Sequence, residues 1–374
     1  MSKKKIVIAS ILKPVDDTRM YEKMGVSLSK TNKYDVNIIG YSVKSLPKQD
    51  NITFHPLFNF SRLSLSRLLA PVKCYLLLRS IRPKTLIVNS HELLFMGFIY
   101  CLFNKSRLIY DVRENYYRNI LYTKTFPRLI RPLLATWVRF KEYASHLFVD
   151  HYFLAEQYYE QEFSFTKGKS TVIENKYQPL DKGATTIERH SSGLKLLFSG
   201  TLAESTGVYL AIDLAIKLHD VEPSVTLDII GYSPIMSVIE NIKSKIESFS
   251  FITLTGGNVL VPHHEVITKI CQANFGIIHY PSNKSTINST PTKLYEYLAN
   301  KLPIIMQNHP KWKAICAENS AGITVDFDHF SPQNLLEIMK SQEYYLNSKN
   351  TSFLWEHEEV NFLQKIDSYN SVNQ

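Results

Sequence analysis

The first half of the chain alternates short apolar, β-branched runs with longer amphipathic stretches. Strands are predicted at Lys5–Leu12, Tyr34–Tyr41, Ile52–Leu57, Thr85–Asn89, Arg107–Val112, His151–Leu154 and Ser170–Ile173. Helices are predicted between them at Arg19–Lys30, Leu63–Ile81, Leu93–Phe103 and Phe126–Phe148, the last offset by two prolines. Strands that alternate with helices indicate parallel pairing, so the pattern predicts a doubly wound α/β sheet.

The same alternation begins again near residue 194. Strands are predicted at Leu194–Ser199, Thr226–Gly231, Ile252–Thr255, Phe275–Tyr280, Pro303–Met306 and Ile323–Val325. Helices are predicted at Thr206–Leu218, Pro234–Glu247, His263–Cys271, Thr292–Ala299, Pro310–Ala317 and Pro332–Tyr344. The chain therefore predicts a second doubly wound sheet.

The segment Leu180–Gly193 has no periodicity and collects turn-forming residues, which is typical of a linker. We therefore predict an N-terminal Rossmann-like domain at residues 1–179 and a C-terminal one at residues 180–352. Two such sheets would face a central cleft at the carboxyl ends of their strands, where open α/β sheets bind ligands. The tail at 353–374 is predicted to be helical and to pack back onto the first domain.

The stretch Asn288–Ala299, N-S-T-P-T-K-L-Y-E-Y-L-A, follows a buried apolar run and opens like a helix. Ser289 or Thr290 can cap this helix, and Pro291 suits its first position. The free N–H groups and the positive dipole end of such a helix suit a phosphate-bearing ligand. Glu296 lies about one turn further on, where a carboxylate suits the hydroxyls of a sugar.

This stretch resembles the donor-binding signature S-x-P-x-K-x-x-E-Y of GT-B glycosyltransferases of the family 4-like, group 1 kind. The resemblance implies that Glu296 binds the ribose of a nucleotide sugar. It also implies that the backbone amides of Thr292 and Lys293 hold the diphosphate, in a donor-binding segment that begins at Ser289. Many relatives carry a second glutamate eight positions before the first, and here that position is Asn288. The identity of the sugar and its mode of activation stay open for this reason.

A second stretch, Phe198–Val208 (F-S-G-T-L-A-E-S-T-G-V), resembles the family's phosphate-binding G-R-L-x-x-x-K-G-V loop. Gly200 is kept, but Thr201 and Thr206 stand where relatives have Arg and Lys. The phosphate charge would then be met by amides, by hydroxyls and by cations such as Lys293 or Arg19.

Arg19 belongs to D-D-T-R at residues 16–19, which resembles the D-x-R of relatives. A cation near a helix start opposes the dipole, so phosphate binding would explain it. The alternative is an ion pair with Asp16 or Asp17.

Two further strand ends resemble the nucleotide side of the family's pocket. Tyr232, in D-I-I-G-Y-S, is predicted either to pack on the base or to cover the sheet. Asn258 follows T-G-G and is a candidate for direct contact with the base.

In the first half, Y-D-V-R-E at residues 110–114 matches a family pattern written Y-D-x-H-E. Arg113 replaces the histidine and cannot act as a base, because its pKa exceeds ~12. Arg113 is instead suited to clamp phosphate, and Glu114 is the nearest carboxylate for hydrogen-bonding an acceptor hydroxyl; the alternative is an ion pair of Arg113 with Asp111 or Glu114. His91, followed by Glu92, takes the place of a family H-D or H-E pair, although a lone histidine is more often structural.

Composition supports a folded protein of two ordinary domains, with 374 residues, 44% hydrophobic and 21% charged. The four cysteines are far apart, which predicts small buried side chains in a reducing compartment without zinc or disulfides. The longest apolar run, Leu93–Phe103, is too short to span a bilayer, and no signal peptide is evident. A cytoplasmic location is expected.

Several enzyme classes are disfavoured by missing motifs. The chain has no G-x-G-x-x-G, no Walker-type G-x-x-x-x-G-K-[ST] and no G-x-S-x-G, which argues against NAD enzymes, P-loop ATPases and α/β-hydrolases. The resemblance stated above implies no metal requirement, so no metal is expected.

Positive charge is concentrated in the first half: residues 1–178 hold 28 Lys and Arg against 14 Asp and Glu. Residues 51–91 and 115–141 contain no acid at all but many leucines and aromatic residues. Such segments suit an anionic membrane surface, at roughly 1 kcal/mol per well-placed cation. Nucleic acid is the competing partner, but no motif for it is present.

Together these features predict a glycosyltransferase that moves a sugar from a UDP- or GDP-type nucleotide sugar to a lipid-linked glycan acceptor in cell-surface polysaccharide assembly. The resemblance implies retention of anomeric configuration, and the charge implies a peripheral location at the inner face of the cell membrane. Two alternatives stay open: a non-catalytic GT-B subunit that supports another transferase, and a sugar-nucleotide 2-epimerase.

Overall fold

The computed structural model describes residues 3–43, 45–60, 64–123, 126–179, 187–189, 193–281, 284, 286–346 and 350–371. The chain forms two compact units: unit 1 is Met1–Gln178 with Trp355–Gln374, and unit 2 is Pro179–Leu354. Most of the predicted linker Leu180–Gly193, together with Arg62 and Lys124, lies outside the described residues.

Unit 1 is built on a parallel sheet of seven strands in the order β3-β2-β1-β4-β5-β6-β7. The strands are β1 (Lys4–Pro14), β2 (Tyr34–Tyr41), β3 (Ile52–Phe58), β4 (Thr85–Val88), β5 (Arg107–Val112), β6 (His151–Leu154) and β7 (Ser170–Val172). Residues Ile6–Ala9 of β1 pair with β2 on one side and with β4 on the other, so β1 is a central strand of the sheet.

Helices cover both faces of this sheet. They are α1 (Val26–Lys30), α2 (Ala70–Ile81), α3 (Leu94–Asn104), α4 (Tyr116–Tyr122), α5 (Arg131–Ala144), α6 (Tyr159–Glu162) and, at the end of the chain, α13 (Glu356–Ser371). Helices α2 and α3 contribute to the apolar core on one face. On the other face, α1 and α13 bury Leu28, Phe362 and Ile366, and Trp355 donates a hydrogen bond of 2.9 Å to Ser27.

Unit 2 is built on a parallel sheet of six strands in the order β10-β9-β8-β11-β12-β13. The strands are β8 (Leu194–Thr201), β9 (Val225–Tyr232), β10 (Ile252–Gly257), β11 (Phe275–Ile278), β12 (Ile304–Met306) and β13 (Gly322–Thr324). The helices are α7 (Val208–His219), α8 (Met236–Ile246), α9 (His263–Gln272), α10 (Thr292–Ala299), α11 (Pro310–Ala317) and α12 (Pro332–Ser341). The apolar stripes of α7, α8 and α12 close a core with the strands.

The predicted fold class is confirmed, since both units are doubly wound parallel sheets with the strand order of a Rossmann fold. Three helices begin differently from the prediction. The helix after β1 opens as a π-helix at Thr18–Gly25, and a 3₁₀ turn at Leu65–Leu69 precedes α2. Helix α5 begins only at Arg131, because Pro132 fits the first turn of a helix and would disrupt its interior.

The prediction that the cysteines are small buried side chains is confirmed, since Cys74, Cys101, Cys271 and Cys316 are all buried and free. Among the described residues, no helix combines the length and the apolar character needed to cross a bilayer.

Candidate functional site

The candidate site of unit 2 lies where the strand order reverses, between the neighbouring strands β8 and β11. Chain connections leave these two strands in opposite directions, which opens a crevice at their carboxyl ends. The loop after β8 and the residues after β11 touch each other there: a Cβ on Gly207 would lie 2.4 Å from the carbonyl oxygen of His279. Gly207 has φ +80°, a conformation that suits glycine, so the close approach depends on this residue.

Helix α10 points its N-terminus at this crevice, and its start differs from the prediction. Neither Ser289 nor Thr290 caps it; Pro291, with φ −62° and ψ 136°, occupies the cap position and provides no side-chain hydrogen bond. The preceding segment is held instead from α11, where Trp312 donates a 2.9 Å hydrogen bond to the carbonyl oxygen of Ser289. The first amides of α10 are therefore left without a side-chain cap, which favours an anionic ligand.

Lys293 is the most unusual residue of the site. Its side chain is 5% exposed, and its ammonium has no hydrogen-bond acceptor among the described residues. The nitrogen lies 3.9 Å from the ring centre of Phe198 and 5.6 Å from that of Tyr280. Burial lowers the pKa of Lys293 to about 7, although the charge of Glu296 opposes the shift. A buried cation without a counter-ion is costly, so the site is suited to receive an anion.

Glu296 lies one turn further along α10 and is partly exposed. Its Oε1 atom is 3.5 Å from Nε2 of His263, the first residue of α9. The hydroxyl of the next residue, Tyr297, is 2.8 Å from the hydroxyl of Ser199, and its ring rests on Gly276. Tyr297 thus fixes α10 on β8 and β11 and sets the position of both Lys293 and Glu296.

His279 was missed by the sequence analysis. It directly follows β11, and its ring meets that of Phe327 edge-on, with the ring centres 4.6 Å apart. Its Nδ1 atom has no hydrogen-bond partner among the described residues. Burial lowers its pKa to about 4; Asp328 opposes this shift and Lys293 adds to it. The histidine is therefore a neutral hydrogen-bonding group beside Lys293. The available signal was its place at the end of a buried strand, I-I-H-Y.

The loop after β8 is stabilised by its own hydrogen bonds. The Thr206 hydroxyl lies 2.6 Å from the carbonyl oxygen of Thr201 and 2.9 Å from that of Ala203, so it closes the loop. Thr201 is exposed. Gly200 has φ +105°, and no atom lies within 4 Å of the position of a Cβ. The open space at the carboxyl end of β8 is therefore bordered by the backbone of Gly200, and Thr201 brings no positive charge to it.

The remaining predicted residues of unit 2 are spread along the same edge of the sheet. Tyr232 ends β9 and is half-buried, while Asn258 is exposed and follows β10, two strands away from β8. Asn288 and Thr292 are exposed before and at the start of α10. Their contacts with a ligand stay predictions.

Arg19, in unit 1, is not placed to bind phosphate, contrary to our expectation. Its guanidinium is completely buried and forms a forked ion pair with Asp111 at 2.7–3.1 Å. Nη1 of Arg19 also donates a hydrogen bond of 2.9 Å to the carbonyl oxygen of Ile173. The predicted alternative partners, Asp16 and Asp17, are also replaced, because the fold brings in a partner 92 residues away. Arg19 ties the first helix to β5 and to the residue that follows β7.

Arg113 pairs with Asp17 through two hydrogen bonds of 2.7 and 3.1 Å, rather than with Asp111 or Glu114. Burial alone would raise the pKa of Asp17, but the charge and hydrogen bonds of Arg113 outweigh it and lower the pKa to about 2. Glu114 forms an ion pair with Lys13 at 2.9 Å. The predicted roles of Arg113 and Glu114 toward phosphate and acceptor stay predictions.

His91 lies at the carboxyl end of β4, beside the strand reversal of unit 1. Its Nδ1 atom is 3.0 Å from the ammonium of Lys141, and its ring meets Tyr116 edge-on at 4.9 Å. Burial lowers the pKa of His91 to about 4, against the charge of Glu92. His91 is therefore a neutral acceptor for Lys141, and its proposed part in the chemistry stays a prediction.

The revised role of Arg19 can be tested with Arg19→Lys. The variant keeps the charge but loses the forked geometry, so unit 1 should be destabilised by about 1–2 kcal/mol in chemical denaturation. Nucleotide affinity should be unchanged. A variant of normal stability that binds nucleotide more weakly would restore the phosphate role.

The described residues contain no cluster of three or more His, Cys, Asp or Glu side chains that could hold a metal ion.

No protein-family model and no curated protein sequence matches the chain. Solved structures do match it over nearly its whole length. Sucrose-phosphate synthase from Thermosynechococcus elongatus is 13% identical, with a TM-score of 0.70 over 99% of this chain and 100% of that one. The catalytic domain of starch synthase IV from Arabidopsis thaliana, bound to ADP and acarbose, is 11% identical, with a TM-score of 0.64 over 99% of both chains.

HepE from Anabaena, in complex with UDP and glucose, is 13% identical, with a TM-score of 0.62 over 99% of this chain and 100% of that one. These proteins are GT-B glycosyltransferases. Likeness at such low identity establishes architecture, and together with the two Rossmann-like sheets it shows that this chain has the GT-B fold.

Proposed function

We propose that the protein is a glycosyltransferase that uses a nucleoside diphosphate sugar bound at the start of α10. The observation that carries this proposal is Lys293, a buried ammonium without an acceptor among the described residues, at an uncapped helix N-terminus where β8 and β11 diverge. A diphosphate supplies the missing negative charge, and helix amides bind its oxygens. Similar solved structures that hold UDP or ADP support this choice of ligand.

The same groups provide the chemistry. Departure of the nucleoside diphosphate is the costly event in sugar transfer, because negative charge develops on the leaving oxygens. Lys293 and the first amides of α10 stabilise that charge, and neutral His279 is a nearby hydrogen-bonding group. Glu296 binds the ribose hydroxyls. Arg113 is always charged and does not act as a base, so in the retaining mechanism proposed here a leaving-group oxygen accepts the acceptor's proton.

The acceptor proposed is a lipid-linked glycan, in the assembly of a cell-surface polysaccharide at the inner face of the membrane. The donor is a UDP- or GDP-sugar, and no metal takes part. The basic, leucine-rich segments of unit 1 support a peripheral membrane location.

Three observations favour the second candidate, a non-catalytic GT-B subunit. The phosphate-binding loop lacks both cations of relatives, the Thr206 hydroxyl is engaged in closing that loop, and Arg19 is buried in an ion pair. Nucleotide binding without turnover, with co-purification of a partner transferase, would support that candidate. Conversion of a UDP-sugar without any acceptor would instead support a 2-epimerase.

The proposal is tested with Glu296→Gln and a panel of UDP- and GDP-sugars. The wild-type protein should be protected from thermal unfolding by at least one nucleotide sugar and should turn it over with an acceptor. Loss of the charged acceptor should weaken binding about 10- to 100-fold, since hydrogen bonds to charged groups contribute roughly 1.5–3 kcal/mol.

Glu337→Gln, an exposed position on α12, is the matched control and should behave like wild type. An unaltered nucleotide response in Glu296→Gln would remove Glu296 from the site. Absence of any nucleotide effect on the wild-type protein would refute the proposed function.

A further inference from the structure

Three helices on one face of unit 1 have apolar side chains on both their inner and outer faces. In α2, Ala70, Cys74, Leu78 and Ile81 are buried in the core at helical spacing. A second stripe points outward, and its members are 56–83% exposed. This stripe consists of Leu65, Leu68, Leu69, Val72 and Leu76.

The same double pattern occurs in α3 and around α5. The outward side chains of α3 are Phe95, Leu102 and Phe103, which are 61–75% exposed. Around α5 the outward stripe recurs every three or four residues, apart from the adjacent Leu129 and Ile130, and reaches 94% exposure at Leu129. Its members are Leu129, Ile130, Leu133, Trp137, Phe140, Tyr143 and Leu147. Most of the exposed large apolar side chains in the described part of the chain belong to these three segments.

The three segments form one layer, which we call the apolar helix layer (residues 64–81, 91–104 and 126–147). Arg67, just before α2, forms an ion pair with Glu92 at the start of the α3 segment. Lys141 of α5 contacts His91 in the same turn. Helices α2 and α3 pack against each other on the sheet. The outward stripes are therefore neighbours on a single surface.

The charge of this layer is of one sign. Its acidic residues are Glu92, which is paired with Arg67, and Glu142, which is completely buried. Exposed cations surround the apolar stripes, and none of them forms an ion pair with a described residue: Lys73, Arg79, Arg82, Lys84, Lys105 and Arg128. A large exposed apolar patch marks an interaction site, and this one has only positive charge at its edges.

We propose that the apolar helix layer is a membrane-docking surface that inserts its leucines and aromatic residues into an anionic lipid leaflet. Amphipathic helices bury their apolar face at the boundary between headgroups and acyl chains, and nearby cations add attraction to anionic lipid. Trp137, stacked on Phe140 at 5.9 Å, is the kind of residue enriched at that boundary. A folded protein partner matches this surface less well, because the layer has no exposed acid that would help to set the register with such a partner.

The proposal rests on the peripheral location given above, but it uses no residue of unit 2. Lipid binding and nucleotide binding can therefore fail independently. The proposed docking surface also predicts that attachment to the membrane depends on insertion of apolar side chains, and not on charge alone.

Tryptophan fluorescence tests this directly. Of the three tryptophans, Trp312 and Trp355 are at most 1% exposed, whereas Trp137 is 55% exposed. Vesicles of phosphatidylcholine with phosphatidylglycerol should shift the emission to the blue, and lipids with brominated acyl chains should quench it. Trp137→Phe should lose both signals while the protein still sediments with the vesicles.

The contribution of insertion is measured by co-sedimentation of the double variant Leu129→Ser/Leu133→Ser. Partition onto the anionic vesicles should fall at least about tenfold, since insertion free energy scales with buried apolar area. Nucleotide protection should be unchanged. The matched control is Val221→Ser/Val360→Ser, which removes two exposed apolar side chains outside the layer and should bind like wild type.

Three results would overturn the proposal. They are equal partition of the layer variant and the control, absence of quenching by brominated lipid, and equal binding to phosphatidylcholine alone. A concentration-dependent dimer that the layer variant dissociates, without lipid binding, would assign the surface to protein association instead.

Discussion

Replacing Lys293 by methionine is expected to weaken binding of a nucleoside diphosphate sugar about 100-fold and, at the same time, to make the unliganded protein more stable. Loss of binding follows because a charge-assisted contact to phosphate disappears from a buried site, where such contacts contribute roughly 2–3 kcal/mol. The gain in stability follows because the ammonium is buried without an acceptor among the described residues. A residue that only stabilised the fold would behave in the opposite way.

The size of the stability gain can be reasoned from the pKa. Lowering the pKa of Lys293 from 10.5 to about 7 corresponds to a cost of about 4 kcal/mol at neutral pH. The contact of the ammonium with the ring of Phe198 offsets about 2 kcal/mol of that cost. Methionine has a similar length and no charge, so Lys293→Met should raise the free energy of unfolding by about 2 kcal/mol.

The stability difference between wild type and Lys293→Met should depend on pH in a definite direction. Between pH 7 and about 10.5 the unfolded chain binds a proton at Lys293 that the folded chain has released, so wild-type stability rises with pH over this interval. The cost is fully present below pH 7. The advantage of the methionine variant should therefore be greatest at pH 6 and should shrink by pH 9. Urea denaturation of both proteins at pH 6, 7 and 9 measures it.

Ligand binding should show the complementary dependence. A sugar diphosphate prefers the protonated lysine, so its affinity for wild type should decrease above pH 7, and this decrease should be absent in Lys293→Met. Lys313→Met, an exposed position on α11, serves as the control and should change neither property. A methionine variant that is less stable than wild type and still binds nucleotide sugars would contradict the assignment of Lys293.

The alternation of strands and helices could be predicted because each element carries its own periodicity, and parallel sheets follow from the order of elements. The ends of helices were harder, since they depend on distant residues. The start of α10 is set by Trp312, which holds the backbone at Ser289, so the local cap chemistry of Ser289 and Thr290 is not used. Similarly, Arg19 finds Asp111 across 92 residues of sequence, and no local pattern predicts that pair.

Lys293 and Glu296 could be named from the sequence because a motif there follows a strand end; the structure places both on α10, and their contacts with a ligand stay predictions. His279 could not be named, because in the sequence it resembles any residue at the end of a buried strand, and only the tertiary structure brings Phe327 and Lys293 close to it. The apolar helix layer shows the same limit. Its basic, leucine-rich composition is visible in the sequence, but the outward stripes of α2, α3 and α5 become one surface only when the helices pack side by side.

Gly207→Ala and Gly200→Ala should separate the stability of unit 2 from its binding of nucleotide. Both glycines have positive φ, +80° and +105°, so alanine is strained at either position by about 1–2 kcal/mol. At Gly207 the added Cβ would also lie 2.4 Å from the carbonyl oxygen of His279, which is backbone and cannot move aside. We expect Gly207→Ala to lose at least about 3 kcal/mol, because the loops after β8 and β11 must separate.

Gly200→Ala is the matched partner of this experiment. Its Cβ meets no atom within 4 Å, so unit 2 should remain folded with only the cost of backbone strain. The new methyl group projects into the open end of β8, where we place the diphosphate, and close approach of a phosphate to the backbone requires glycine. Affinity for the nucleotide sugar should therefore fall at least about tenfold in a protein that denatures almost normally, as calorimetric titration beside urea denaturation would measure. Wild-type affinity in Gly200→Ala would mean that no ligand approaches the end of β8, and the diphosphate would then have to bind elsewhere on unit 2.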